Sequence, residues 1–271
     1  MRINKKTKNC KKERNEHAIK SLGKTIFLFF LFFLNCHFYF YIDKKDTILS
    51  KYVKEQREFC SNLKKFYNQT IEDKLEIVDI RINGLDYKIY TPYKNKKHKY
   101  KKFHYFEKKE SLNFIAALNY YSQKRSILKK KNIFMLDIGG NIGWYPSLLG
   151  RYGYSILTFE PNYENYYVNR KNFCYLNRNS NVVIITKGLN NEEKICDYYR
   201  DTSGNTNGMT LCNNNTIKNK VSKRFLKVHT VELTKLSNFI PYLSNKNVAL
   251  IKIDIEGSEG IVIQDGIDLI S

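Results

Sequence analysis

Hydrophobic and polar positions divide the chain into stretches of different character. Residues 1–24 are polar and rich in lysine, whereas Thr25 to Ile42 (TIFLFFLFFLNCHFYFYI) is eighteen residues without a charge, apolar on every side. That length sits at the lower end of the roughly 17 to 25 residues needed to cross a bilayer. The cluster Phe38, Tyr39, Phe40, Tyr41 reads as an interfacial aromatic belt at its far end. The pattern predicts one transmembrane helix at 25–42 acting as a signal anchor rather than a cleaved signal peptide, because the leader is long and no small-x-small site follows Ile42. By the positive-inside rule, residues 1–24 form a cytosolic basic leader and everything after Asp43 lies across the membrane, in a luminal or extracytoplasmic space.

The next stretch, 43–109, mixes three patterns. From Asp43 to about Asp73 the chain predicts a polar helical stalk with Tyr52, Phe59, Leu63 and Phe66 loosely on one face. In EIVDIRINGLDYKIYTP, apolar positions Ile80, Ile82, Leu85, Tyr87 and Ile89 flank Asn83-Gly84, the pattern of a β-hairpin. The run from Lys94 to Lys109 interleaves lysines with aromatics and reads as a solvated basic linker. An amphipathic helix follows from Glu110, with Leu112, Phe114, Ile115, Leu118 and Tyr121 at helical spacing.

Residues 110–271 carry the alternation of a catalytic domain. An apolar strand at Ile133 to Leu136, a Gly-rich turn, a helix from near Ile142, a strand at Ile156 to Phe159, a helix through Asn165 to Leu176 and a strand at Val182 to Ile185 predict a parallel, doubly wound α/β sheet. In such a sheet, ligands sit at the carboxyl ends of the strands.

Charge changes the picture less than its total suggests. The chain of 271 residues has a formal net charge of +21, but residues 1–42 contribute +7 (nine Lys/Arg against two acids), 43–131 contribute +12 (23 against 11) and 132–271 only +2 (15 against 13). A chain built to grip phosphate places its cations on the folded working face, so no specific nucleic-acid partner is expected. Cys60, Cys174, Cys196 and Cys212 would lie in an oxidising lumen, where disulfides form. No CxxC pair occurs, so no metal is expected, and the sequons at Asn68 and Asn214 matter only if that side is luminal.

The chemistry concentrates in the turn after the first parallel strand. A dinucleotide fingerprint needs GxGxxG, and the position of its first glycine is Ile138. What stands there is Asp137, Gly139, Asn141 and Gly143, with a carboxylate at the strand tip that would repel a pyrophosphate and suit a cationic, amino-acid-bearing nucleoside such as S-adenosylmethionine. Glu160, 23 residues on at the end of the next strand, is placed to accept hydrogen bonds from ribose hydroxyls.

These residues resemble the FkbM-type S-adenosylmethionine-dependent methyltransferases. The matching segments are LDIGGNIGWYP (Leu136 to Pro146), TFEPNYENYYVNRKN (Thr158 to Asn172), KVHTVELTKL (Lys227 to Leu236) and LIKIDIEGSEG (Leu250 to Gly260), the last with Lys252, Asp254, Glu256, Gly257 and Glu259. The resemblance implies a class I methyltransferase, Rossmann-like fold and O-methylation of a hydroxyl on a glycan, a lipid-linked sugar or a small metabolite. Carried over, Asp137, Gly139, Asn141, Gly143 and Glu160 would bind S-adenosyl-L-methionine. Gly140 stands where relatives often have Ala. Asp254 would be the catalytic base with His229 as second candidate, and Glu256 and Glu259 would face the substrate. Relatives continue beyond the helix-like IVIQDGIDLI, so the sheet is expected to be truncated after its fourth strand. Two other readings stay open: a type II membrane glycosyltransferase using Asp254-Ile255-Glu256 as an acid-x-acid metal clamp, and an inactive remnant that keeps only the cofactor half.

Overall fold

A computed structural model describes residues 48–91, 97–176, 181–201, 208–211, 225–244, 246–255 and 257–267. The expected transmembrane segment, Thr25 to Ile42, lies outside them; among the described residues no helix is long and apolar enough to cross a membrane.

The centre is a four-stranded parallel sheet made of β3 (Ile133–Ile138), β4 (Ser155–Phe159), β5 (Asn181–Ile185) and β10 (Asn247–Ile253), in the order β10-β3-β4-β5. The strands read as near-continuous apolar runs because both faces are covered, as parallel sheets require. Successive residues alternate between two cores. Ile133, Met135, Ile156, Val182 and Ile184 join one cluster, and Leu136, Ile138, Leu157, Phe159, Ile185 and Ile253 join the other. The chain leaves β3 toward β4 on one side, while β10 pairs on the other, so the order reverses at the β3–β10 boundary. This is the switch point at which open α/β sheets bind ligands. The predicted doubly wound sheet is thus observed, with α4 (Trp144–Arg151) and α5 (Tyr163–Leu176) as its crossovers.

The N-terminal elements depart from the expected stalk. The first helix, α1 (Ile48–Ser61), buries Leu49, Tyr52, Gln56 and Phe59 against the edge of the sheet. The Gln56 carboxamide acts there as a substitute strand: its amide nitrogen, Nε2, donates to the Val182 carbonyl (3.0 Å), and its Oε1 accepts from Ile184 N–H (3.1 Å). Two backbone groups of the edge strand β5 are thereby paired, which blunts an otherwise open edge. A disulfide joins Cys60 at the end of α1 to Cys174 on α5, and Phe59 meets Tyr167 edge-on at 5.5 Å. A short helix, α2 (Gln69–Glu72), follows; Asn68 caps it by accepting from Ile71 N–H.

The hairpin forms as the Asn-Gly signal predicts. Strands β1 (Glu76–Ile82) and β2 (Leu85–Thr91) pair antiparallel, with positive φ at Asn83 and Gly84. Asn172 of α5 fastens it, its Oδ1 accepting from Tyr90 N–H and its Nδ2 donating to the carbonyls of Tyr90 and Ile142. The expected basic linker is instead helical from Lys97: α3 (Lys97–Lys124) is one helix, and its second half buries Phe114, Ile115, Leu118 and Tyr121 in the core, as their spacing predicts. Between β5 and β10 the chain builds a second sheet from β6 (Gly188–Leu189), β7 (Lys194–Asp201), β8 (Gly208–Leu211) and β9 (Phe225–Thr234), ordered β6-β9-β7-β8. A short helix, α6 (Ile240–Leu243), precedes β10, and α7 (Glu259–Asp265) follows it.

Candidate functional site

The turn that leaves β3 is shaped by close backbone approaches. The N–H groups of Gly139 and Gly140 both donate to the Phe159 carbonyl, at 3.0 and 2.9 Å, which folds the turn over the end of β4. Gly139 has φ +89°, and a side chain there would stand 2.0 Å from the Asp254 carbonyl oxygen, so the turn lies directly against the segment that leaves β10. Gly143, at φ +84°, caps the start of α4, and a Cβ there would meet the Asn169 carboxamide at 2.3 Å. Both positions demand glycine for conformation and for space. Asn141 takes a left-handed φ of 47°, which asparagine tolerates.

Glu160 is brought to this turn. Its Oε2 accepts from Asn141 N–H at 2.7 Å, and its Oε1 accepts from Asn162 N–H at 2.9 Å and from Asn165 Nδ2 at 3.4 Å. The side chain is buried, and burial outweighs these donors, pushing the carboxyl up to about 7. A carboxylate has about four acceptor positions, so the three donors leave one on Oε2. At the same turn, Asn141 Oδ1 and Asn169 Nδ2 are buried without a hydrogen-bond partner among the described residues.

Asp137 sits beneath the turn rather than in it. Its side chain is fully buried; Oδ2 accepts from Thr158 Oγ1 at 3.1 Å, and Oδ1 lies 3.3 Å from Lys252 Nζ. Thr158 and Lys252 occupy the positions of β4 and β10 in register with Asp137, so the three form one row across the strand ends. The charge expected to face a cationic ligand is therefore already matched by a lysine. The row and Lys252's role in it follow from strand register, which residue spacing within one strand does not reveal.

The other candidates divide between two places. Asp254 follows β10, its N–H donating to the Ile138 carbonyl, and its side chain remains 40% exposed at the crevice. Burial raises its carboxyl above the ordinary range, Lys252 pulls it back, and Asp137 and Glu259 add to the rise. Glu259 holds the turn: its carboxylate accepts from the N–H groups of Ile255 and Gly257. Its carboxylate is thus engaged by the local backbone. Glu256 lies outside the described residues.

His229 is on β9 of the second sheet, stacked on Tyr198 at 5.0 Å, and its burial lowers its pKa. The Tyr198 hydroxyl accepts from Asn162 Nδ2 at 3.0 Å. His229 therefore stands with the Glu160 end of the crevice and not with Asp254. Asn162, Asn165 and Tyr198 surround the candidate acid Glu160, and sequence reasoning missed them; NYEN after the Glu160-Pro161 pair carried no signal beyond a helix start. Trp144 and Tyr145 are buried in the core, where Trp144 Nε1 donates to Ser111 of α3 and Tyr145 packs on Phe114.

Among the described residues no group of three or more His, Cys, Asp or Glu could hold a metal ion. The family model described as a methyltransferase FkbM domain matches residues 137–271, which begin at the buried acid of β3 and include Glu160 and Asp254. No curated protein and no solved structure matches the chain.

Proposed function

We propose, from the premise that this chain is an FkbM-family methyltransferase, that it binds S-adenosyl-L-methionine over the β3 turn and methylates a hydroxyl of a glycan, a lipid-linked sugar or a small metabolite. The observation that carries this reading is the 2.7 Å contact from Asn141 N–H to Glu160 Oε2, which locks the Gly-rich turn to the acid of the next strand. The residues present fit such a nucleoside: one acceptor position is left on Glu160, and Asn141 Oδ1 and Asn169 Nδ2 are a buried acceptor and donor at the same turn. When bound, the cofactor supplies a methyl group on positively charged sulfur.

The chain's own work is alignment and proton handling. Glu160 accepts from a ribose hydroxyl at its remaining Oε2 position, and the tight turn fixes where the nucleoside lies. Holding the reactants in line is worth up to about 7 to 11 kcal/mol in favourable intramolecular cases. Asp254, exposed at the crevice and held above the usual carboxylate range, takes the proton from the acceptor hydroxyl at a carboxylate oxygen. Such a base contributes roughly 10²- to 10⁴-fold. Calorimetric titration with S-adenosylhomocysteine tests the reading: wild type should bind and Glu160→Ala should not, while Asp254→Asn binds normally and turns over slowly. A wild-type chain that does not bind refutes it.

The same proposal places the chain on a single-pass anchor at Thr25 to Ile42, with the catalytic part luminal or extracytoplasmic. The Cys60–Cys174 disulfide supports an oxidising compartment. Glycosidase-sensitive modification at Asn68 would bear this out, and a reduced Cys60 in protein isolated from cells would refute it.

A further inference from the structure

Lys252 is a buried ammonium, 6% exposed, on the central strand pair of the switch point. Three segments present oxygen to it. Its Nζ lies 3.3 Å from Asp137 Oδ1 of β3, donates to the Gly139 carbonyl of the turn at 2.5 Å, and lies 4.0 Å from Asp254 Oδ2 after β10. The Tyr145 ring of α4 packs beside it with its centroid at 5.7 Å. A lysine has three donors and no acceptor, and burying one is costly unless its charge is matched. Here the matching groups are the parts of the crevice itself.

Resting on the cofactor reading above, we infer that Lys252 is a positioning residue: its ammonium fastens the β3 tip, the cofactor turn and the Asp254 carboxylate into one arrangement. The turn carbonyl and the acceptor-side acid share one cation, so displacement of either alters the field at the other. The charged groups that act on Asp254 are Asp137 from β3 and Glu259 from α7, which favour its protonated form, and Lys252, which opposes them; Glu160 after β4 feels the same lysine. Arginine in its place would keep the charge with a wider, planar fork, while methionine would keep the length and lose the charge.

The test follows the Asp254 carboxyl by NMR in the ligand-free full chain with carbon-13-labelled aspartate, alongside calorimetry with S-adenosylhomocysteine. Lys252→Met should raise the Asp254 titration midpoint by at least about one pH unit, the size of effect an opposite charge at this range exerts, and should weaken S-adenosylhomocysteine tenfold or more. Lys252→Arg should bring both values back toward wild type. An unmoved Asp254 midpoint in Lys252→Met, or an arginine variant no closer to wild type than the methionine one, overturns the inference. Should Lys252→Met not fold, Asp137→Asn serves instead: it removes a like charge and frees the lysine for Asp254, so the midpoint should fall, and a midpoint that stays put overturns the inference. The carboxyl titration needs no ligand. A shifted Asp254 in a wild-type chain that fails to bind S-adenosylhomocysteine would therefore sink the cofactor reading and leave the Lys252 arrangement standing.

Discussion

Glu160 makes the stability of this chain depend on pH in a direction opposite to that of an ion-paired acid. Burial raises its carboxyl from 4.5 to about 7, against the pull of donors from Asn162, Asn141 and Asn165. Between those two values the folded chain keeps a proton that the unfolded chain has released, so stability falls as pH rises through the window. Below the lower value both states are protonated and the penalty is absent; above the upper value it is complete. A difference of 2.5 pH units at about 1.4 kcal/mol each amounts to about 3 kcal/mol. Urea unfolding of wild type and Glu160→Gln between pH 5 and 8 reads it. The glutamine is neutral throughout, and its amide nitrogen faces backbone donors at every pH, so it introduces a constant offset while the other titrating groups cancel in the comparison. Part of the window lies below pH 5, so wild type should lose about 2.5 kcal/mol relative to the variant across this range. Parallel curves, or a wild type that gains on the variant as pH rises, would refute the burial argument. The same carboxyl links to binding. A ribose hydroxyl donates to its ionised form, so affinity for S-adenosylhomocysteine should rise with pH up to about 7 and level off above.

Three further outcomes follow from the packing. Gln56→Leu strips the Val182 carbonyl and the Ile184 N–H of their partner and should cost about 2 to 4 kcal/mol in denaturant unfolding; a change within error would show that the edge strand finds other partners. Replacing Cys60 and Cys174 together by alanine opens a loop of 114 residues and should cost about 3 to 5 kcal/mol, read as a lowered Tm, with an unchanged Tm counting against the bridge. Gly139→Ala forces a side chain into a left-handed backbone 2.0 Å from the Asp254 carbonyl. It should abolish S-adenosylhomocysteine binding in a chain that still folds by circular dichroism, and affinity within threefold of wild type would mean that the turn has room to move.

Much of the frame was legible in the order of residues alone. Apolar runs at Ile133 to Leu136, Ile156 to Phe159 and Val182 to Ile185, each followed by a helix or a turn, mark strands buried on both faces. Asn83-Gly84 marks the hairpin, and Asp137, Gly139, Asn141, Gly143 and Glu160 mark the strand tips and the turn between them. These are local signals: a side-chain period or a left-handed φ is imposed by neighbours a few residues away. Polar character misled where tertiary contacts override it. The segment read as a stalk turns apolar side chains and Gln56 onto the sheet edge, and from Lys97 onward the run read as a linker belongs to α3.

Which acid touches what was decided only in three dimensions. Asp137 reads identically whether it faces a ligand or a buried cation. The choice is made when β10 pairs with β3 and sets Lys252, 115 residues away, opposite it. That Glu259 takes the N–H groups of the turn after β10 is likewise visible only in three dimensions. The sequence by itself determined where strands end and where carboxylates cluster, because burial periodicity and turn geometry are written in short windows. Tertiary structure alone decided which of those charges are buried against a cation within the fold and which, like Asp254, stay partly exposed at the crevice, because strand register joins residues that no short window contains.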